Sequence, residues 1–375
     1  MLVLAATATL VFALTWVFVA AVPLAFLDPE YPYWLAKQDL LRRCDLGTVL
    51  VVGDSRAAVD IVPGLLGVTA TNLAVGGGEA IEAYAVLHRA LACPILPRRV
   101  IVSFDAAHFI EPDLFWDRSV RFGAVDYAEL QELRDVSERL GDTSLLDQKH
   151  ADGLPRGLRA WLYAVRFPGL YFNSLLRGGV LLRWWSNHAA LRAGIAARGQ
   201  YFFGTAAGSS VVARDGHLDR FVPLPVLDAY FDQMLALLAA HHIETDFVAM
   251  PLNAATSRAI RPALRDGFAA YLANYAARYP NLHIVGPLLP AWDDGWFGDE
   301  FAHLNPPGAA LFSARFGACL RVRLGAIADG SCATFDQPRL QEAPPSTQNA
   351  AQWGWFNATG RDASANVAPI SKRGS

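Results

Sequence analysis

The residues with the types and spacing for covalent chemistry stand far apart in the chain. Ser55 lies in VLVVGDSRAAV, Val49 to Val59, where four apolar residues, three of them β-branched, read as a strand buried on both faces. Gly53 and Asp54 break that run, and Ser55 to Ala58 can open a helix. A serine where a buried strand hands over to a helix N-terminus has unpaired backbone N–H groups beside its hydroxyl, so an oxyanion formed there would be stabilised. The same tripeptide also suits a turn in which Ser55 is only an N-cap. A nucleophilic serine needs a base, and GDEFAHLNPPGA, Gly298 to Ala309, supplies His303. The base in turn needs a carboxylate to fix its tautomer. Glu300, three residues before His303, is the first candidate, and Asp299, four before it, is the rival.

These residues require a scaffold. Thr48 to Val52, Thr71 to Val75, Arg99 to Phe104, Thr245 to Met250 and Leu282 to Val285 read as short buried strands. Glu79 to Ala92, Leu224 to His241, Ala263 to Arg278 and Gly308 to Leu324 read as helices, the last capped by Asn305 with Pro306 and Pro307 in its first turn. Strands alternating with helices imply an α/β fold, a three-layer sandwich around a central parallel sheet, in which ligands gather at the carboxyl ends of the strands. Ser55, the glycines from Gly76 to Gly78 and Asp105 all fall at such ends. Between about 112 and 204 the pattern gives way to a mostly helical insertion. Its aromatic and arginine mixture, including Trp161, Tyr163, Tyr171, Phe172, Arg177, Arg183, Trp184 and Trp185, suits either a core of its own or a substrate-facing groove. Residues 333–375, rich in Pro, Gln, Ser, Asn and Ala, read as a disordered tail.

Leu2 to Phe26 contains no charged residue, and about 20 apolar residues suffice to cross a bilayer core. The absence of a basic n-region and the length of the run favour a retained transmembrane anchor, residues 1–27, over a cleaved signal. Residues 28–44 read as a juxtamembrane amphipathic helix with Tyr31, Tyr33 and Trp34 at the interface. The α/β domain then occupies 45–332. Lys37, Arg42 and Arg43 follow the span and by the positive-inside rule argue for a cytoplasmic body. A net charge of −3 with scattered arginines gives no field for nucleic acid. The cysteines Cys44, Cys93, Cys319 and Cys332 lack CxxC spacing, hence any zinc or thioredoxin signature; Cys319 and Cys332 could close a short loop, but three pairings are open. No Walker lysine or GxGxxG turn follows the first strand, which argues against nucleotide binding at the glycines.

GDSR (Gly53 to Arg56), NLAVGG (Asn72 to Gly77) and EFAHLNPPG (Glu300 to Gly308), in this order and on this pattern, resemble the SGNH (GDSL-type) hydrolase superfamily over roughly residues 45–110 and 225–325. With a single N-terminal span, the chain is similar to the membrane-anchored proteins of polysaccharide O-acetylation and D-alanyl transfer. The resemblance implies Ser55 as nucleophile with its own N–H in the oxyanion hole, Gly77 as a second backbone donor, and Asn72, five residues before Gly77, at the same oxyanion and binding face. It implies His303 as base, and an acid at the Glu300 position, where the family normally has Asp. In the third block the family carries an asparagine donor, and here the residue is Asp105, a carboxylate that cannot donate unless protonated. Arg56 or His108 would then supply positive charge, or Asp105 has a structural role. The resemblance implies a body outside the cytoplasmic membrane, periplasmic or extracellular, acting as serine acyltransferase or esterase on an exported or cell-surface polysaccharide, beside a membrane-bound O-acyltransferase and without metal or organic cofactor. The alternative is a non-catalytic polysaccharide-binding or scaffolding partner of such an acyltransferase.

Overall fold

In a computed structural model of the chain, the described residues are 1–112, 114–147, 153–325 and 338. The cysteine at 332 and nearly all of the C-terminal tail read as disordered lie outside them. In chain order the helices are α1 (Leu2–Ala21), α2 (Tyr31–Arg42), α3 (Ser55–Asp60), α4 (Ala80–Leu91), α5 (Tyr127–Leu140), α6 (Arg156–Ala164), α7 (Pro168–Gly178), α8 (Trp184–Ala196), α9 (Pro225–Ala240), α10 (Ala254–Ala259), α11 (Pro262–Arg278) and α12 (Pro306–Arg323). The strands are β1 (Val49–Gly53), β2 (Ala70–Asn72), β3 (Arg99–Ser103), β4 (Glu244–Phe247), β5 (Leu252–Asn253), β6 (Leu282–Ile284) and β7 (Ala291–Trp292).

Five of these form a parallel sheet in the order β2-β1-β3-β4-β6, with Val51 opposite both Asn72 and Ile101, and Phe247 opposite both Val102 and Ile284. The strands are apolar on both faces because helices cover both. Leu50, Val52, Val100 and Val102 pack into one core with Val86 and Leu87 of α4, Phe231 and Met234 of α9, and Phe268 of α11. Their neighbours Val49, Val51 and Ile101 point the other way, into a core with Ala57 and Ala58 of α3 and Phe312 and Phe316 of α12. β1 and β3 approach so closely that a Cβ on Gly53 would lie 1.8 Å from the Ser103 carbonyl oxygen. Glycine is therefore required where β1 ends, one residue before the turn that presents Ser55.

α1 is long and apolar enough to cross a membrane, and only Val19 of it is buried against the rest of the chain. α2 departs from the interfacial reading. Tyr31, Trp34, Ala36, Lys37, Leu40 and Leu41 are all buried, and the helix packs on α8, where Gly194 lets the chains close onto Ala36. The aromatics assigned to a membrane belt are body core instead: Tyr31 and Trp34 pack edge-on against Phe122. Cys44, just past α2, forms a disulfide with Cys93, just past α4. Among the described residues from 112 to 204 the regular elements are helical, and Trp116, Tyr163 and Tyr171 pack on one another within the same core that holds Leu50 and Val102.

Candidate active site

The turn after β1 is built by Asp54. Its carboxylate accepts from Arg56 N and Ala57 N, so Asp54 is the N-cap of α3 and Ser55 occupies the first helical position with its hydroxyl unspent on capping. Among the described residues, neither the Ser55 nor the Gly77 backbone N–H donates to another group of the chain. Gly77 reaches its turn after β2 with φ +65°, which a residue with a Cβ adopts only under strain. The other end of α3 is clamped by Asn72, whose amide donates to the Ala57 and Ile61 carbonyls at 2.8 and 2.9 Å and whose oxygen accepts from Ala74 N. Asn72, expected at the binding face, is therefore buried scaffold that fixes α3 to β2.

His303 comes from the loop between β7 and α12. Phe297 and Leu304 form a bridge, Gly298 N donates to His303 O, and the chain reverses through Ala302 at φ +61°. This tight loop decides which carboxylate meets the imidazole. Asp299 Oδ1 accepts from the N–H groups of Phe301 and His303, and its Oδ2 lies 2.6 Å from His303 Nδ1. Glu300, the first candidate on spacing, is exposed and is not the partner of His303. An aspartate is short enough to close such a turn on its own backbone, while the extra methylene of Glu300 carries its carboxyl outward. Burial works against the charge on Asp299, but His303 and the two N–H groups outweigh it and hold the carboxyl below its usual range.

His303 Nε2 lies 2.8 Å from Ser55 Oγ. With Nδ1–H directed at Asp299, Nε2 is the acceptor and faces the hydroxyl. Three groups from positions 55, 299 and 303 thus form a continuous hydrogen-bonded relay. The histidine is nearly buried, and Phe203 stacks on its ring at 4.9 Å between centroids. Phe203 belongs to the end of the insertion, and so does the close approach of Gly204 to the Gly298 carbonyl. The insertion therefore meets the site through residues 201–206, not through the tryptophans and arginines of α7 and α8.

Behind the relay lies a second set of charged groups. Asp105 Oδ1 is 2.6 Å from His108 Nδ1, and its Oδ2 is 3.4 Å from Arg56. Arg56 also pairs with buried Asp215 at 2.6 Å, and its Nε donates to the Phe301 carbonyl at 3.4 Å. Asp105 N donates to Asp54 Oδ2. Asp105 caps the helical turn Ala106–Phe109, so it is an ionised structural acceptor and not an oxyanion donor. Burial opposes its charge, yet His108 and Arg56 override this and hold the carboxyl far below the usual range. Arg56, expected at the binding surface, is likewise buried among these acids and ties α3 to the loop carrying Asp299. Asp54, Asp105 and His108 are the one grouping among the described residues spaced as metal ligands. Arg56 and His108 lie against these carboxylates, with Arg56 nearer to Asp215.

Sequence reasoning missed Asp54 as the cap, Asp215 as the anchor of Arg56, Asp60, whose Oδ1 accepts from Leu304 N beside His303, and Phe203. Only the first had a sequence signal: Asp directly before a helix opening is a cap at least as good as Ser. No protein-family model and no curated protein matches the chain.

Proposed function

We propose that the protein is a membrane-anchored serine acyltransferase or esterase of the SGNH type, with Ser55 as nucleophile, His303 as general base and Asp299 as the orienting acid. The observation that carries this reading is the continuous relay, 2.8 Å from Ser55 Oγ to His303 Nε2 and 2.6 Å from Nδ1 to Asp299. His303 takes the Ser55 proton as Oγ attacks an acyl carbonyl. The oxyanion is held by the N–H of Ser55, at the start of α3, and by that of Gly77. Collapse expels the donor's leaving group, which takes the proton from His303, and leaves acyl-Ser55. A second hydroxyl then repeats the sequence in reverse, with His303 as base toward the acceptor. If that acceptor is a sugar hydroxyl, the reaction is transfer; if water, hydrolysis.

The order of the motifs and the single N-terminal span support an exported or cell-surface polysaccharide as acceptor or substrate, with a membrane-bound O-acyltransferase as partner. The Cys44–Cys93 disulfide favours a body in an oxidising compartment, outside the cytoplasmic membrane, against the direction given by Lys37, Arg42 and Arg43. The scaffolding alternative drew its support from a carboxylate at the oxyanion site. Pairing with His108 and Arg56 offsets the charge of Asp105 and leaves the oxyanion to the Ser55 and Gly77 N–H groups.

The test is transfer itself. Purified full-length protein in detergent is given p-nitrophenyl acetate carrying a labelled acetyl group, with and without short polysaccharide fragments. Labelled saccharide from the native chain and none from Ser55→Ala is the expected result. Equal labelling by Ser55→Ala, or Ser55→Ala sustaining full polymer acylation in cells, would overturn the reading.

A further inference from the structure

The contacts of α1 set part of the body beside the span. Trp16 Nε1 donates to the Val165 carbonyl at 2.9 Å, and Phe12 and Trp16 pack against Phe167 at 5.8 and 5.3 Å between ring centroids. Leu2–Ala21, 20 residues, is about 30 Å long at a helical rise of 1.5 Å per residue, the thickness of a hydrocarbon core, so Phe12 and Trp16 fall within that depth. If α1 spans a membrane, the segment that packs on these two residues must share that depth.

That segment has the surface this requires. Phe172 and Leu176 on α7, then Val180, Leu181, Leu182 and Trp185, are all exposed, Leu182 and Trp185 at 80%. A groove of about 550 Å³ between α1 and α7 is lined by Leu4, Val11, Phe12, Pro168 and Phe172. The Thr7 and Thr15 hydroxyls that also border it bond back to the Val3 and Val11 carbonyls, so they add no unsatisfied polar group. Charge agrees: from Gly153 to Arg214 the sequence has eight arginines and no acidic residue, within a chain of net charge −3. Among the described residues, Arg166, Arg177, Arg183 and Arg192 of this stretch form no ion pair. Long arginine stems over an apolar face, with guanidinium groups reaching toward anionic headgroups, are the composition of an interfacial membrane surface.

We propose that the face formed by α7 and residues 179–185 is immersed in the same bilayer leaflet that α1 enters, so that the body is partly embedded and not tethered by α1 alone. The occupant of this face is lipid: acyl chains over the apolar side chains, and anionic headgroups at Arg177 and Arg183. The inference rests on α1 being a membrane span.

Full-length variants Leu182→Cys and Leu176→Cys, labelled with an environment-sensitive fluorophore, would be reconstituted into vesicles of neutral and anionic phospholipid containing acyl-chain nitroxide quenchers. Leu10→Cys serves as the α1 control and Leu96→Cys as the solvent control. The expected result is quenching at 182 and 176 to at least half that at 10, with none at 96. Quenching at 10 but not at 176 and 182 would overturn the immersed face while leaving the anchor intact. Absence of quenching at 10 would overturn the anchor reading and, with it, the proposal. Reconstitution in vesicles of neutral lipid only should lessen quenching at 182 relative to 10; an unchanged ratio would remove the arginine–headgroup part.

Discussion

The site holds two aspartate–histidine pairs of nearly identical geometry, and their difference separates chemistry from structure. Asp299–His303 and Asp105–His108 both place a carboxylate oxygen 2.6 Å from Nδ1. In the first pair Nε2 faces the Ser55 hydroxyl, and Ser55 is partly open to solvent. In the second, Nε2 is buried without a hydrogen-bond partner, and Nδ1 also lies 3.3 Å from Asp54. The first pair has somewhere to send a proton and the second does not. An Asp–His pair is therefore no sign of catalysis alone; what distinguishes one is a nucleophile at the far nitrogen and an opening beside it.

Substitutions can break this comparison, and the largest effect should come from the relay. Ser55→Ala and His303→Ala should each lower acyl transfer on the order of 10⁴-fold or more, with thermal unfolding little changed. Next, Asp299→Asn should cost about 10³–10⁴-fold in kcat by releasing the tautomer, while Glu300→Gln should stay within about twofold. Equal losses in these two variants, measured by steady-state kinetics, would mean that the loop positions both carboxylates. Asp105→Asn inverts the pattern: it should destabilise the fold by about 3 kcal/mol in denaturant unfolding by leaving Arg56 and His108 with less countercharge, yet keep most of the activity per folded molecule. A gain in kcat instead would make position 105 an oxyanion donor.

Acidity sharpens the same contrast. Burial works to lower the pKa of His108, but Asp105 and Asp54 outweigh it and raise the value above normal. The folded state then binds this proton more tightly than the unfolded one. The stabilisation is fully present below about 6.5, the unfolded value, and is lost as pH rises through the folded value. The stability difference between the native chain and His108→Gln should shrink across that range, while the activity profile, set by the other pair, should not follow it. The smallest effect is expected at Phe203, which stacks on His303 without a polar contact. Phe203→Leu should reduce kcat by a factor of about three to ten, since looser positioning of a base costs less than its removal.

How much of this could be read from the residues depends on the range of the interaction that fixes each feature. The five strands were legible because β-branched runs such as Val49–Val52 and Val100–Val102 are local signals, and so was the cap of α12 at Asn305. Ser55 and His303 stood out by their places at a strand end and before a helix cap. The acid was misjudged because spacing along the chain favours Glu300, whereas the reversal through Ala302, a single residue at φ +61°, turns Asp299 under the ring instead. Arg56 and Asn72 were misplaced, and the role of Asp105 left open, for a different reason. Their partners are Asp215, His108 and the carbonyl ends of α3, and burial among them is a property of the assembled fold. The same holds for α2, whose amphipathic pattern fits a membrane surface as well as the α8 face it packs on.

The central claim is that Ser55 is activated by His303, and covalent capture measures it directly. The full-length protein, with a fluorophosphonate probe, would be digested and mapped by mass. The account expects the adduct on Ser55 in the native chain and in Glu300→Gln, slowed by orders of magnitude in His303→Ala. An unlabelled Ser55, or labelling at the native rate in folded His303→Ala, would contradict it.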